Sequence, residues 1–249
     1  MDELIIDIHG LRKAYDGLGV LQGLDLGIRK GETITILGGS GTGKSVLLRL
    51  ITGLEKPDEG SILIGDKDIV PMNEDEMLPI RRKMGMLFQS AALFDSLTAG
   101  DNVAYPIRVH LALPEEEIQI IVTKKLGLVG LEGVENKMPA ELSGGMKKRV
   151  ALARAIAIDP EIVLYDEPTA GLDPGNTKRI NHLIVELQRI LKVTSVVVTH
   201  DLNSAYAVTD RLALLSRGRI ATVGAERDFQ ASTIEEVRRF IAGELIEDG

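Results

Sequence analysis

Apolar residues cluster in short β-branched runs near the N-terminus, give way to helix-spaced groups in the middle of the chain, and then alternate between the two patterns. Residues 4–8 and 20–28 predict strands, separated by a turn at Asp16-Gly17-Leu18-Gly19. Residues 33–37 form a β-branched run that stops at Gly38. After a loop of Gly, Ser and Thr, the apolar positions of 45–52 fall at helical spacing. A turn is predicted at Pro57-Asp58-Glu59-Gly60 and a strand over 61–64. Asn73 is placed to cap a helix opening on Glu74, Asp75 and Glu76, and 84–88 reads as a buried strand.

Between 90 and 160 the strand signals stop. Pro114, followed by Glu115, Glu116 and Glu117, predicts a helix start with Pro in the first turn and acids at the positive end of the dipole. Residues 145–158 predict a second helix, with Val150, Ala153 and Ala157 on one face. The alternation then resumes: strand 162–165, helix 174–191, strand 195–198, helix 202–208, a hairpin of 211–216 and 219–223 around Arg217-Gly218, and an amphipathic helix over 234–242. Strands alternating with helices imply an α/β fold whose mostly parallel sheet is covered on both faces. The pattern predicts one domain over 1–249, with 1–89 and 161–249 as its strand-bearing part and 90–160 as a helical insert.

Composition narrows the chemistry. Of 249 residues, 44% are hydrophobic and 27% charged, ordinary for a globular chain with a sizeable core. The net charge of −8 argues against a protein that coats nucleic acid, though a local basic pocket stays open. The absence of cysteine excludes disulfides, thiolate nucleophiles and cysteine-ligated metal centres, and with no Trp and 3% aromatics the core must be aliphatic. No apolar run approaches the ~18–20 residues of a membrane span. Met1-Asp2-Glu3-Leu4 lacks the basic-then-apolar order of a signal peptide, so a cytoplasmic chain that meets a membrane through a partner is expected. His9, His110 and His182 have no metal-ligand spacing.

Gly38-Gly39-Ser40-Gly41-Thr42-Gly43-Lys44-Ser45 fits the phosphate-loop pattern G-x-x-x-x-G-K-[ST], and it lies between a β-branched strand and a helix as that pattern requires. Glycines let successive N–H groups turn inward around phosphate oxygens, and the helix start adds the positive end of its dipole. Lys44 supplies charge for the β- and γ-phosphates and Ser45 a hydroxyl for Mg²⁺. Residues 162–165 lead into Asp166-Glu167. Alone, such an end reads equally as a solvated strand terminus. Beside a phosphate loop, Asp166 is expected to hold Mg²⁺ through water and Glu167 to orient and polarise the attacking water.

With these two features the chain resembles the ATP-binding-cassette ATPases over essentially its whole length. Leu142-Ser143-Gly144-Gly145-Met146 is similar to the family signature, Gln89 to the Q-loop residue, Ala170-Gly171-Leu172-Asp173 to the D-loop, and His200 to the switch histidine. Tyr15 resembles the aromatic that stacks on adenine, though it reads equally as a strand aromatic. The resemblance implies a P-loop NTPase (RecA-like) core, an N-terminal antiparallel β subdomain and an inserted helical subdomain. It further implies ATP and Mg²⁺ as ligands, with Ser45, Gln89 and Asp166 on the metal, Glu167, His200 and Gln89 in hydrolysis, and Asp173 at a dimer seam. By itself Ser143 reads as a helix N-cap. In the family, Ser143, Gly144 and Gly145 would bind the γ-phosphate of ATP held by the other subunit. One chain carries one phosphate loop and one signature, so a head-to-tail homodimer closes two sites. Lys147-Lys148-Arg149 reads first as a solvated basic face.

Cassettes of DNA repair carry long coiled coils between phosphate loop and signature, and those of translation carry two cassettes per chain; neither fits. A regulator without turnover would lack the base, whereas Glu167 is present. A transporter ATPase with a separate permease is expected, its docking groove beside the Q-loop over 90–108, with Leu93, Phe94, Leu97 and Tyr105 as apolar candidates. The stretch 87–108, Met146 and 237–243 resemble the MlaF-type ATPases of MCE lipid-transport systems, whereas His110-Leu111-Ala112-Leu113 departs from them. That resemblance implies lipid transport with an MlaE-like permease, a STAS-domain protein and an MCE-domain protein, at the cytoplasmic face of an inner membrane. An importer ATPase for amino acids or other small solutes is the alternative.

Overall fold

The computed structural model describes residues 3–244. In chain order its elements are β1 (Leu4–Tyr15), β2 (Leu18–Arg29), β3 (Thr33–Leu37), α1 (Lys44–Ile51), β4 (Glu59–Ile64), β5 (Lys67–Asp68), α2 (Glu74–Arg81), β6 (Met84–Leu87), α3 (Ala99–His110), α4 (Glu115–Leu128), α5 (Gly144–Ala155), β7 (Ile162–Asp166), α6 (Pro174–Leu191), β8 (Thr194–Thr199), α7 (Leu202–Val208), β9 (Arg211–Ser216), β10 (Arg219–Gly224), α8 (Glu226–Gln230) and α9 (Glu235–Ile241). By their internal contacts these residues form two compact units, 3–80 with 194–244, and 81–193.

The first unit contains an antiparallel sheet of order β2-β1-β4-β5 and a second set of strands ordered β10-β9-β3-β8. In the second set β3 runs parallel to both β8 and β9, with Leu37 opposite Thr199 and Leu214, and β10 is antiparallel to β9. Every residue of β3 and β8 is buried, which explains why both read as continuous apolar or β-branched runs without alternation. Leu37, Ala205, Leu212, Leu214, Phe229 and Val237 form one core cluster, so α8 and α9 close over these strands with Phe229 and Val237.

The β1–β2 hairpin is longer than the pattern predicts. The turn is Asp16-Gly17 alone, with φ of 50° and 81°, and Tyr15 pairs with Leu18. Two consecutive positive φ values match the right-handed strand twist, so a two-residue Asp-Gly turn lets pairing continue to its edge. The exposed polar positions from His9 onward hid that continuation.

The second unit pairs β6 and β7 in parallel, with Met84 opposite Ile162 and Leu87 opposite Tyr165. The α5 helix lies against β6, and α3 and α4 pack on α5 and on each other. The α3 helix, not signalled by the apolar pattern, opens on a reciprocal cap. Thr98 Oγ1 accepts the Asp101 N–H at 3.0 Å and donates to the Asp101 carboxylate at 2.8 Å. Pro114 stands at the N-cap of α4 rather than in its first turn. Gly85 has no room for a side chain, because a Cβ there would overlap the Ala155 carbonyl at the end of α5.

Candidate nucleotide-binding site

The first unit carries the phosphate loop. β3 ends at Leu37, and Gly43 caps α1 in the left-handed region at φ 98°, where a Cβ would meet Val20 Cγ1 at 2.8 Å. Both its backbone and its surroundings therefore require glycine there. The Lys44 ammonium, 7% exposed, donates to the carbonyls of Gly38 at 2.9 Å and Gly39 at 2.8 Å. Thr42 Oγ1 donates to the Gly39 carbonyl at 3.0 Å. Ser40 and Gly41 lie exposed at the tip of the loop, and Ser45 falls in the first turn of α1, which contains no acid. A helix N-terminus whose first turn carries a lysine and no carboxylate is a site for an anion.

Tyr15 ends β1 with its ring 38% exposed. Its hydroxyl donates to Glu55, which also accepts from Arg49 Nε of α1 at 2.5 Å, and the Lys13 ammonium lies 5.4 Å from the ring centroid. The hydrogen bond from Tyr15 holds the Glu55 carboxyl below the usual carboxylate range. The aromatic at the hairpin end is thus tied to the helix that follows the phosphate loop. Neither Arg49 nor Glu55 was signalled by a motif. His200 follows β8 and is exposed, while Asp201 takes the capping role, accepting from the Asn203 N–H at 2.9 Å.

The second unit carries the carboxylates and the signature. Gln89 lies exposed just beyond β6, in a loop pinned by Arg154, whose guanidinium donates to the carbonyls of Ala91 at 2.9 Å and Ala92 at 2.7 Å. Asp166 ends β7. Glu167 is 8% exposed with φ 45°, a left-handed conformation that costs a residue with a Cβ about 1–2 kcal/mol. Such strain is a mark of functional sites.

Ser143 is the N-cap of α5, its Oγ accepting the Met146 N–H at 3.3 Å. Ser143 and Gly144 are exposed whereas Gly145 is buried. A Cβ on Gly145 would overlap the Asn176 side chain. Asn176 in turn donates its amide to Asp173 at 2.5 Å, and Asp173 caps α6 by accepting the N–H groups of Gly175 and Asn176 at 2.9 and 3.1 Å. These bonds, led by that from Asn176, hold the Asp173 carboxyl below its usual range. Signature and D-loop are thus packed through Asn176, which sequence spacing did not reveal.

One expectation is corrected. Lys147-Lys148-Arg149 is not a solvated face: Lys148 is 5% and Arg149 8% exposed. Arg149 donates to the carbonyls of Val129 at 3.2 Å and Gly130 at 2.7 Å, satisfying the end of α4, and Lys148 turns towards Glu167. Long aliphatic stems let both cations pass through packed surface to backbone acceptors, which a charge run does not disclose.

A cavity of about 330 Å³ also lies in this unit, lined among others by Phe88, Ala92, Phe94, Tyr105, Pro106 and Arg154. Phe94 and Tyr105, both exposed, face each other with ring centroids 4.9 Å apart, while Leu93 and Leu97 are half-buried.

Parallel strands, a glycine-rich loop leading into a helix, and a lysine folded over that loop define a P-loop NTPase fold. The profile of the ABC transporter family matches residues 21–170, a span holding the phosphate loop, Gln89, the signature and Asp166-Glu167. The chain belongs to the ABC transporter family. It is 42% identical over 241 residues to the "Probable ribonucleotide transport ATP-binding protein mkl" of Mycobacterium tuberculosis, covering 97% of this chain and 67% of that one. To the "Intermembrane phospholipid transport system ATP-binding protein MlaF" it is 42% identical in Escherichia coli, covering 98% of this chain and 90% of the relative. The Haemophilus influenzae protein of that name is 40% identical, with coverage of 98% and 92%. Among solved structures, a dimeric ATP-binding cassette in a post-hydrolysis state with ADP and Pi matches with a TM-score of 0.82 at 35% identity, covering 88% of this chain and 98% of that one. The cbiO1 cassette of Clostridium perfringens matches with a TM-score of 0.83 at 32% identity, covering 98% and 100%.

Proposed function

We propose that this chain is the ATP-hydrolysing subunit of an ABC transporter that moves phospholipid through a separate MlaE-like permease. The carrying observation is the identity of 40–42% with MlaF proteins over 98% of this chain. Gly38 to Ser45 cradle the triphosphate, Lys44 neutralises its β- and γ-oxygens, and Tyr15 stacks on adenine. Ser45, Gln89 and Asp166 offer hydroxyl, carboxamide and carboxylate oxygens. This hard, sparse donor set fits a Mg²⁺ that keeps waters and phosphate oxygens as its other ligands. With the ion bound, it neutralises charge on the phosphates. Glu167 orients and polarises the attacking water, and His200 holds that arrangement against the γ-phosphate.

Each chain offers one phosphate loop and one signature. Two chains therefore pair head to tail, Ser143, Gly144 and Gly145 of each closing on the nucleotide of the other, with Asp173 at the seam. The likeness to dimeric cassettes supports this pairing. The cavity beside Phe94 and Tyr105 receives a cytoplasmic helix of the permease: it is concave and largely apolar, with the cation of Arg154 in its lining. No helix among the described residues is long and apolar enough to cross a membrane. We place the chain peripherally at the cytoplasmic face of the inner membrane, with a STAS-domain protein and, through the permease, an MCE-domain protein as further partners.

Affinity purification from membranes tests this function. An MlaE-like permease is expected to co-purify. A solute-importer permease in its place would overturn the lipid reading in favour of small-solute transport, which the name borne by the mycobacterial relative favours.

A further inference from the structure

Lys148 lies on α5, the helix that begins with the signature glycines, and is 5% exposed. Its ammonium donates to the backbone carbonyl of Glu167 at 3.3 Å. The same carbonyl accepts the N–H of Ala170 at 3.1 Å, so two donors converge on one oxygen. That oxygen belongs to a residue whose φ of 45° is a conformation few non-glycine residues hold without support. The charge of Lys148 also stands beside the Asp166 and Glu167 carboxylates. Burial holds the ammonium below the ordinary lysine range, and the two carboxylates oppose that shift. Of the neighbouring cations, Lys147 is only half-buried and Arg149 holds the end of α4.

We propose that Lys148 is a positioning residue for hydrolysis, fixing the backbone of Glu167 from the signature helix and so holding the catalytic carboxylate in its working orientation. A burial-driven packing role would place the same aliphatic stem but would not need a donor at its tip. Here the tip reaches the main chain of the base itself, at a turn whose backbone is strained. Ser143, which is to engage the partner's nucleotide, lies five residues earlier on the same element. A rigid helix thus joins the group that senses ATP in one site to the group that activates water in the other. Lys148's role rests on Glu167 acting as the base.

The test compares Lys148→Met, Lys148→Gln and Lys148→Arg in the full chain, alongside Glu167→Gln. It reads kcat and KM for ATP, affinity for a fluorescent ATP analogue, and the unfolding temperature. Misplacing a catalytic group by an ångström or losing its supporting partner costs roughly 10- to 100-fold in rate. Lys148→Met is expected to lose kcat by about that factor, with KM and analogue affinity within about twofold of wild type. Lys148→Gln, which keeps a neutral donor, recovers part of the rate, and Lys148→Arg recovers more. Wild-type kcat in Lys148→Met overturns the proposal, as does a loss shared equally by kcat, analogue affinity and unfolding temperature. Should Lys148→Met not fold, Lys148→Gln carries the test: a loss confined to kcat supports the proposal and a wild-type kcat overturns it. Turnover that survives Glu167→Gln would instead overturn the base assignment. Turnover abolished in Glu167→Gln but intact in Lys148→Met would sink the positioning role alone.

Discussion

The carboxamide oxygen of Asn102 accepts the backbone N–H of Phe94 at 2.8 Å, and its amide donates to the Phe94 carbonyl at 3.1 Å. The same amide donates to the carbonyls of Leu97 at 3.2 Å and Thr98 at 2.9 Å. A wholly buried side chain thus holds the loop that displays Phe94 beside Tyr105 at the cavity. Replacing Asn102 with Ala leaves these backbone groups without their partner, at about 1–3 kcal/mol. Thermal unfolding should show a fall of several degrees, and membrane affinity purification a weaker recovery of the permease. Unchanged unfolding would mean that the loop holds itself.

Gly145→Ala drives a methyl into Asn176 and, through it, disturbs Asp173. The phosphate loop lies in the other unit, so nucleotide binding by a single chain should be unaffected. ATP-driven pairing, measured by sedimentation, should weaken by roughly tenfold, about 1.4 kcal/mol. Equal losses in both would point to unfolding rather than to a disturbed seam.

Tyr15→Ala removes the exposed ring at the end of β1. Base–aromatic stacking is worth about 1–3 kcal/mol. Titration with ATP should therefore show affinity lowered by roughly 5- to 150-fold, while Tyr15→Phe, which retains the ring, stays close to wild type. An alanine variant with wild-type affinity would return Tyr15 to a strand aromatic.

Arg108 bridges Asp101 at 2.9 Å and Glu115 at 2.5 Å, joining α3 to α4. These hydrogen bonds hold both carboxyls below their usual range. A carboxyl whose pKa is lowered by folding stabilises the fold above its unfolded pKa, and the stabilisation is lost as pH falls through the folded value. The stabilisation is therefore complete above about pH 4 and is lost as the pH falls below it. Arg108→Ala should lower the unfolding temperature slightly at pH 7 and flatten its decline on acidification. The pairs are exposed, so the effect is small and shrinks in salt. A decline as steep as wild type would remove this pair of bridges from the pH response.

Much of the fold is legible in the sequence because burial and period agree. Residues 33–37, 174–191, 202–208 and 211–216 read as the elements they form, since each is either a continuous apolar run or a regular amphipathic stripe. The α3 helix escaped because Gly100 and Pro106 interrupt its pattern, and its support comes from the Thr98–Asp101 cap and from Asn102. The phosphate loop and signature were visible as spaced residue types. The side chains that hold their neighbours in place, Glu55, Asn176, Lys148 and Arg154, were not. Glu55, Lys148 and Arg154 act through bonds to residues distant along the chain, and Asn176 through its packing on Gly145, and no period or spacing encodes such partnerships.

The most direct test of the account is the mass of Glu167→Gln with and without ATP, measured by light scattering, beside phosphate release from the wild-type chain. Mg²⁺-dependent phosphate release is expected from the wild type, roughly 100-fold less or lower still from Glu167→Gln, and an ATP-dependent shift of that variant from one chain mass to two. A variant that remains a single chain at saturating ATP, or that hydrolyses ATP at the wild-type rate, would contradict it.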